Sequence, residues 1–249
     1  MSTLSVNTVT AAPVQSNGSS STTAAQSQAS AALSKISPAL ARAHERIVAQ
    51  AQSESTSISQ LGQYKATVSS LATASNALGG ISSKTTASDA VKMVESFIAT
   101  FNNAIKQANT ASNTSGQSQT NASRTLVESK RTLSSTDSSR SQLNKLGITR
   151  QQDGTLALDA SVLQKSLANA PDATTATLSQ LGKVIGKRAE SELADKGRLN
   201  VASTKSSERA LALKQQQSAL LSAATSMSQA QTSSASWASK QALLKYSAS

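Results

Sequence analysis

Along most of this chain the large apolar residues recur at intervals of three, four and seven rather than two, the period of helices with one buried face. The first 33 residues are the exception. They are Ser, Thr, Ala and Gln with no apolar period, and they read as a disordered N-terminal tail in isolation. From Ser34 the pattern changes, with Ser37 placed to cap a helix and Pro38 at its first position. That helix is predicted over 34–80. Its second half carries a heptad seam, with Leu61 and Val68 at one position and Tyr64, Leu71 and Leu78 at the other. Ile47 keeps the register, Glu54 interrupts it, and the glycines at 79 and 80 end the helix. Ser88 and Asp89 are predicted to open the next helix. Val91, Val94, Phe97, Ile98, Phe101, Ile105 and Ala108 give it the most sharply amphipathic face in the chain, the predicted core helix. A helix over about 120–146 turns Leu126, Leu133, Leu143 and Leu146 inward. Another follows from Asp172 with Leu178, Leu181, Val184 and Leu193, broken near Gly197. The last helix, about 199–245, carries a second seam. Leu213, Leu220 and Met227 fall at one heptad position and Ala223, Ala230, Trp237 and Leu244 at the other.

One stretch departs from the helical period. In "LGITRQQDGTLALD", residues 146–159, β-prone ends flank a polar turn containing Asp153 and Gly154. An Asp-Gly pair between short apolar runs is a strong local hairpin signal, and a glycine adopts positive φ without steric cost. The hairpin is predicted at 148–158, with Ile148, Leu156 and Leu158 facing the helices. Asp159 is then placed to cap a short helix bearing Val162, Leu163 and Leu167, which Pro171 ends.

These elements predict a mainly α fold. The N-terminal helix (34–80) and the C-terminal helix (198–249) form an antiparallel coiled coil, large residues meeting small ones. A small helical core domain over 81–197, with the one β-hairpin, lies between them. Its core is expected to be built from Phe97, Phe101, Ile105, Ile148, Leu156 and Leu158. The seam is expected to be built from Leu61, Tyr64, Val68, Leu71, Leu78, Leu213, Leu220, Met227, Trp237 and Leu244.

Composition narrows the function. Of 249 residues, 37% are hydrophobic and only 2% aromatic, so helices sharing a narrow seam fit better than a thick core. Incomplete seams point to burial completed by a partner. There is no cysteine, hence no disulfide or thiolate chemistry. His44 is the single histidine, in a polar helical context, so no metal site is expected. No nucleophile elbow, phosphate loop or dinucleotide loop occurs. Asp153 and Asp159 read as a turn residue and a helix cap rather than an acid–base pair. No enzyme activity, cofactor or small-molecule substrate is expected. Nor is a transmembrane segment, because no apolar run reaches about 18 residues. The net charge is +11, from 24 Lys and Arg against 13 Asp and Glu, but the basic residues are scattered and have no interleaved aromatics. A solvated basic surface is expected rather than nucleic-acid binding.

The segment "LGITRQQDGTLALDASVLQKSLANAPDATTATL" resembles the C-terminal region of the flagellar hook-associated protein 2 family, the filament cap. The matching positions are Leu146, Gly147, Ile148, Asp153, Gly154, Thr155, Leu156, Leu158, Asp159, Leu163, Leu167, Asn169, Pro171 and Asp172. Upstream, "FIATFNNAI" is similar to the family's helix at Phe97, Phe101 and Asn102. "ISQLGQYKATVSSLATASNAL" is similar to its N-terminal coiled-coil segment, and "KGRL" to the start of its final helix. The likeness covers about residues 40–245. Only "GGISSKTTASD" stands where the family carries its middle β-rich domains. The resemblance implies a minimal cap or cap-like structural protein at the distal end of a bacterial flagellum, which assists flagellin assembly. It implies a homo-oligomer that meets flagellin, hook–filament junction proteins and an export chaperone. It also implies secretion without a cleavable signal peptide, in keeping with an N-terminus that lacks a basic region and an apolar run. Two alternatives stand beside it. One is a secreted substrate, accessory or adhesin of a type III secretion system, with a role in cell adhesion. The other is a basic helical nucleic-acid-binding protein.

Overall fold

A computed structural model describes residues 19–113, 121–135 and 140–247. The chain is mainly α. In order it forms α1 (Ser19–Ile36), α2 (Pro38–Gly79), α3 (Ala87–Asn113), α4 (Asn121–Ser134) and α5 (Arg140–Lys145), then strands β1 (Ile148–Arg150) and β2 (Leu156–Leu158). These are followed by α6 (Ala160–Asn169), α7 (Pro171–Leu193) and α8 (Arg198–Ser247). The segment expected as a tail is corrected in part, since residues from Ser19 onward form α1. Its Ala and Gln favour helix, and Leu33 anchors it by burial. Residues 1–18 of that predicted tail lie outside the described residues.

The chain divides into two compact units, one made of 51–212 and the other of 1–50 with 213–249. The boundaries predicted from sequence, 81 and 197, therefore fall inside the larger unit. The physical reason is the fate of the first seam. Leu61, Tyr64, Val68, Leu71 and Leu78 are fully buried in one apolar cluster with Phe97, Phe101, Leu178 and Ile185. They belong to the helical core of the 51–212 unit.

Within the 51–212 unit, α3 is the central element. Val91, Val94, Phe97, Ile98, Phe101, Ile105 and Ala108 are all buried, and the Phe97 and Phe101 rings lie 5.9 Å apart at 35°. The cap of α3 sits two residues before the expected Ser88. The Thr86 hydroxyl accepts from the Asp89 N–H (3.1 Å) and donates to its carboxylate (2.7 Å), a reciprocal cap. The helix predicted over 120–146 is two, α4 and α5, separated by a stretch that lies partly outside the described residues. At the C-terminus of α2, α7 approaches backbone to backbone. A Cβ on Gly182 would lie 2.4 Å from the Gly79 nitrogen and 2.5 Å from the Ser75 oxygen, and one on Gly186 would lie 2.5 Å from Asn76 Oδ1. The Ser179 hydroxyl donates to the Gly79 carbonyl (2.6 Å), and Asn76 donates to Glu190 (2.8 Å), fastening the same crossing. Four residues apart, Gly182 and Gly186 share one face of α7. In this unit Glu54 of α2 pairs with Arg209 of α8 at 3.6 Å.

The other described unit is thin. Leu33, Ala41 and Ala224 are its buried apolar residues, with Ile36, Leu40 and Leu220 partly buried around them. His44, 1% exposed, ties its three helices together. One ring nitrogen meets Ser30 Oγ at 3.1 Å and the other meets Gln217 Nε2 at 3.2 Å. With the Gln217 amide nitrogen as donor, Nε2 accepts and Nδ1 carries the proton toward Ser30. A continuous helix would hold residues 30 and 44 roughly 21 Å apart, so the chain reverses at Ser37. His44 opposite Gln217 and Ala41 beside Ala224 place α2 and α8 antiparallel here.

Candidate functional site

Two surfaces hold the residues singled out in the sequence, and the first is the hairpin. β1 and β2 pair antiparallel with Ile148 opposite Leu158 and Arg150 opposite Leu156. Ile148 and Leu156 are buried and Leu158 is partly buried, all packing toward the helices. The turn is a three-residue loop. Gly154 N–H donates to the Gln151 carbonyl (3.1 Å) and Gln151 N–H to the Thr155 carbonyl (2.8 Å), while Gly154 takes φ +89°. The Asp153 carboxylate accepts from the Thr155 hydroxyl (2.6 Å) and N–H (2.9 Å), and these bonds hold its pKa below the ordinary carboxylate value. Asp159 plays the second expected part. It accepts from the Ser161 hydroxyl (2.6 Å) and N–H (3.0 Å) and from the Val162 N–H (3.2 Å), which lowers its pKa as it caps α6. Gly147, at φ +74°, receives the Asp159 N–H on its carbonyl at 2.8 Å, so strand, turn and cap lock together.

What fixes the hairpin to the core helix is a pair of asparagines seven residues apart on α3. Asn102 donates to the Leu156 carbonyl (2.8 Å) and accepts from the Leu156 N–H (2.7 Å), acting as a strand neighbour for β2. Asn109 donates to the Asp153 carbonyl (3.0 Å) and accepts from Lys130 of α4. Arg150 donates to the Ser134 carbonyl at the end of α4 (2.7 Å). Asn109 and Lys130 were not among the residues singled out. A polar residue on the hairpin side of an apolar helix face, at the i+7 position from Asn102, is the signal that could have found Asn109.

The second surface is the outer part of α8, where three residues of the predicted seam are exposed among the described residues. Leu213 and Leu220 are half-buried, but Met227 is 43% exposed, Trp237 66% and Leu244 66%. This corrects the expectation that all three pack against the N-terminal helix. In the unit they share, the described residues of α2 end their pairing with α8 near Ala41 and Ala224, and the chain then turns back into α1. Leu243 is exposed as well, at 70%.

Among the described residues no group of three His, Cys, Asp or Glu is placed to hold a metal ion, and no helix is long and apolar enough to cross a membrane. The chain matches no protein-family model, no curated protein and no solved structure.

Proposed function

We propose that this chain is a structural component of a bacterial flagellum, a filament cap or cap-like protein that works as a homo-oligomer. The observation that carries the reading is the uncovered continuation of the α8 seam. Met227 continues by seven the row that Leu213 and Leu220 begin half-buried, Trp237 and Leu244 stand seven apart on the neighbouring row of the same seam, and all three are exposed among the described residues. Such a stripe suits a chain whose burial is finished by neighbouring subunits. The hairpin supports the same reading from another side. The residues on which the resemblance rests, Gly147, Asp153, Gly154, Leu156 and Asp159, each hold a turn, cap or core position in one staple between α5 and α6.

The test is export and assembly in a flagellated host. The protein is expected in the culture medium or on filaments when the flagellar-type export apparatus works, and only inside the cell when that apparatus is blocked. Filaments of normal number and length after deletion of the gene, with the protein retained in the cell in both strains, would reject the role. Export from a strain that makes no flagella would instead favour the type III substrate reading.

A further inference from the structure

A groove of about 710 Å³ opens in the 51–212 unit where the start of α8 passes α4 and the end of α7. Five cations line it: Arg124, Lys196, Arg198, Lys205 and Arg209. Two are already engaged. Arg198 lies 3.5 Å from Glu128 and 3.8 Å from Glu192, and Arg209 lies 3.6 Å from Glu54. Arg124, Lys196 and Lys205 are exposed and make no ion pair among the described residues. Arg198, Ala202, Lys205 and Arg209 follow one another at intervals of four, three and four, a single stripe along α8. The stripe runs about 16 Å, the span of about five residues of extended chain.

We propose that this groove docks an acidic, extended polypeptide segment of another protein, its carboxylates meeting Arg124, Lys196 and Lys205. A nucleic-acid backbone suits it less well. Three carboxylates, Glu54, Glu128 and Glu192, stand among the five cations and would repel a uniform row of phosphates. No aromatic ring lines the groove to stack on a base. Val201, 38% exposed, and Ala194 give it an apolar strip that a polypeptide side chain can cover. A second copy of this chain does not supply the ligand either. No two of its acidic residues are adjacent in sequence, and its densest set, Glu190, Glu192 and Asp195, stands at the end of α7 that builds the groove. This docking role does not depend on the cap-like role.

The probe is a fluorescein-labelled six-residue peptide in which three glutamates alternate with alanine and leucine, titrated with the full chain at low and at physiological salt and followed by anisotropy. A labelled single-stranded oligonucleotide of equal charge runs in parallel. Arg124→Glu with Lys196→Glu and Lys205→Glu is compared with a control of the same net charge, Lys84→Glu with Lys92→Glu and Lys145→Glu. The groove variant is expected to weaken peptide binding roughly ten-fold or more, and the control less than about three-fold. If circular dichroism finds the Glu variant unfolded, the corresponding triple Gln variant takes its place with the same expected direction. Three outcomes each overturn the proposal: no peptide binding by the unaltered chain, equal loss in groove and control variants, or tighter binding of the oligonucleotide that the groove variant abolishes.

Discussion

At the scale of single residues, the core of the 51–212 unit buries several hydroxyls and one carboxylate, Glu192, among its apolar side chains. Tyr64 is completely buried, and neither its hydroxyl nor the Ser129 hydroxyl nor one Glu192 oxygen has a hydrogen bond of ordinary geometry among the described residues. Burial pushes the Tyr64 phenol up from 10.0 to about 12, the neighbouring Ser129 hydroxyl pulling it back and the Glu192 charge adding to the rise. The unfolded chain gives up this proton near pH 10 and the folded chain holds it to about 12. Its contribution to stability is therefore complete below pH 10 and falls as the pH rises to 12. Tyr64→Phe is expected to stay within about 1 kcal/mol of the parent at pH 8, because the buried hydroxyl it removes makes only a weak contact with Ser129. At pH 11 it gains roughly a further 1 kcal/mol over the parent, one pH unit of linkage. Urea unfolding of both proteins at the two pH values measures this, and an unchanged difference between them would mean that Tyr64 ionises as freely folded as unfolded. Asn102 carries the opposite kind of polar burial, fully used. Asn102→Ala leaves the Leu156 N–H and carbonyl without their partner and is expected to cost about 1–3 kcal/mol. Hydrogen exchange should lose protection first at the Leu156 amide, and protection retained there would place the hairpin's anchor elsewhere.

At the scale of elements, two glycines in helices behave oppositely, and the difference lies in what each faces. Gly62 on α2 has nothing within 4 Å of where a Cβ would stand, so Gly62→Ala is expected to raise stability by about 0.5–1 kcal/mol through helix propensity alone. Gly182 meets the backbone of Ser75, Leu78 and Gly79, so Gly182→Ala forces α7 and α2 apart at an expected cost of about 1–3 kcal/mol or more. Thermal unfolding of the two variants should move in opposite directions, and a parallel shift would mean that the α2–α7 crossing tolerates a methyl group. The same elements separate what sequence can carry from what it cannot. The hairpin and the α6 cap were legible because their determinants are local: Asp153 and Gly154 make the turn, and Asp159 caps within three residues. The face of α3 was legible because its apolar period is unbroken from Val91 to Ala108. The partner of α2 was not, since Leu61, Tyr64, Val68, Leu71 and Leu78 repeat by sevens and that period says only that one face is buried. It does not distinguish one facing helix from the several that close over it in the core. Helix α1 escaped because a stretch rich in Ala, Ser and Gln shows no apolar period, and what orders it is Leu33 and the bond from Ser30 to His44. The sequence around His44 shows only a polar helical context, because its partners, Ser30 and Gln217, are 14 and 173 residues away.

For the molecule as a whole, burial is unequally shared. The 51–212 unit holds both phenylalanines and nearly every buried leucine, whereas the described part of the other unit buries Leu33, Ala41 and Ala224. Apolar area removed from water is the main favourable term in folding, so the smaller unit is expected to open far more readily than the larger in the isolated monomer. Residues 213–247 should then exchange amide hydrogens early while α3 stays protected. Assembly changes that balance if Met227, Trp237 and Leu244 find a neighbour, because whatever binds only the ordered helix stabilises it by mass action. Trp237 is the chain's one tryptophan and 66% exposed, so its emission reports on this surface alone. As protein concentration rises, sedimentation is expected to register association together with a blue shift of tryptophan emission and slower exchange over 213–247. Met227→Ser with Trp237→Phe and Leu244→Ser should abolish the association without altering the thermal unfolding of the larger unit. Association that leaves the emission of Trp237 red, or that survives the triple substitution, would move the contact between subunits to another face and deprive the cap-like reading of its main support.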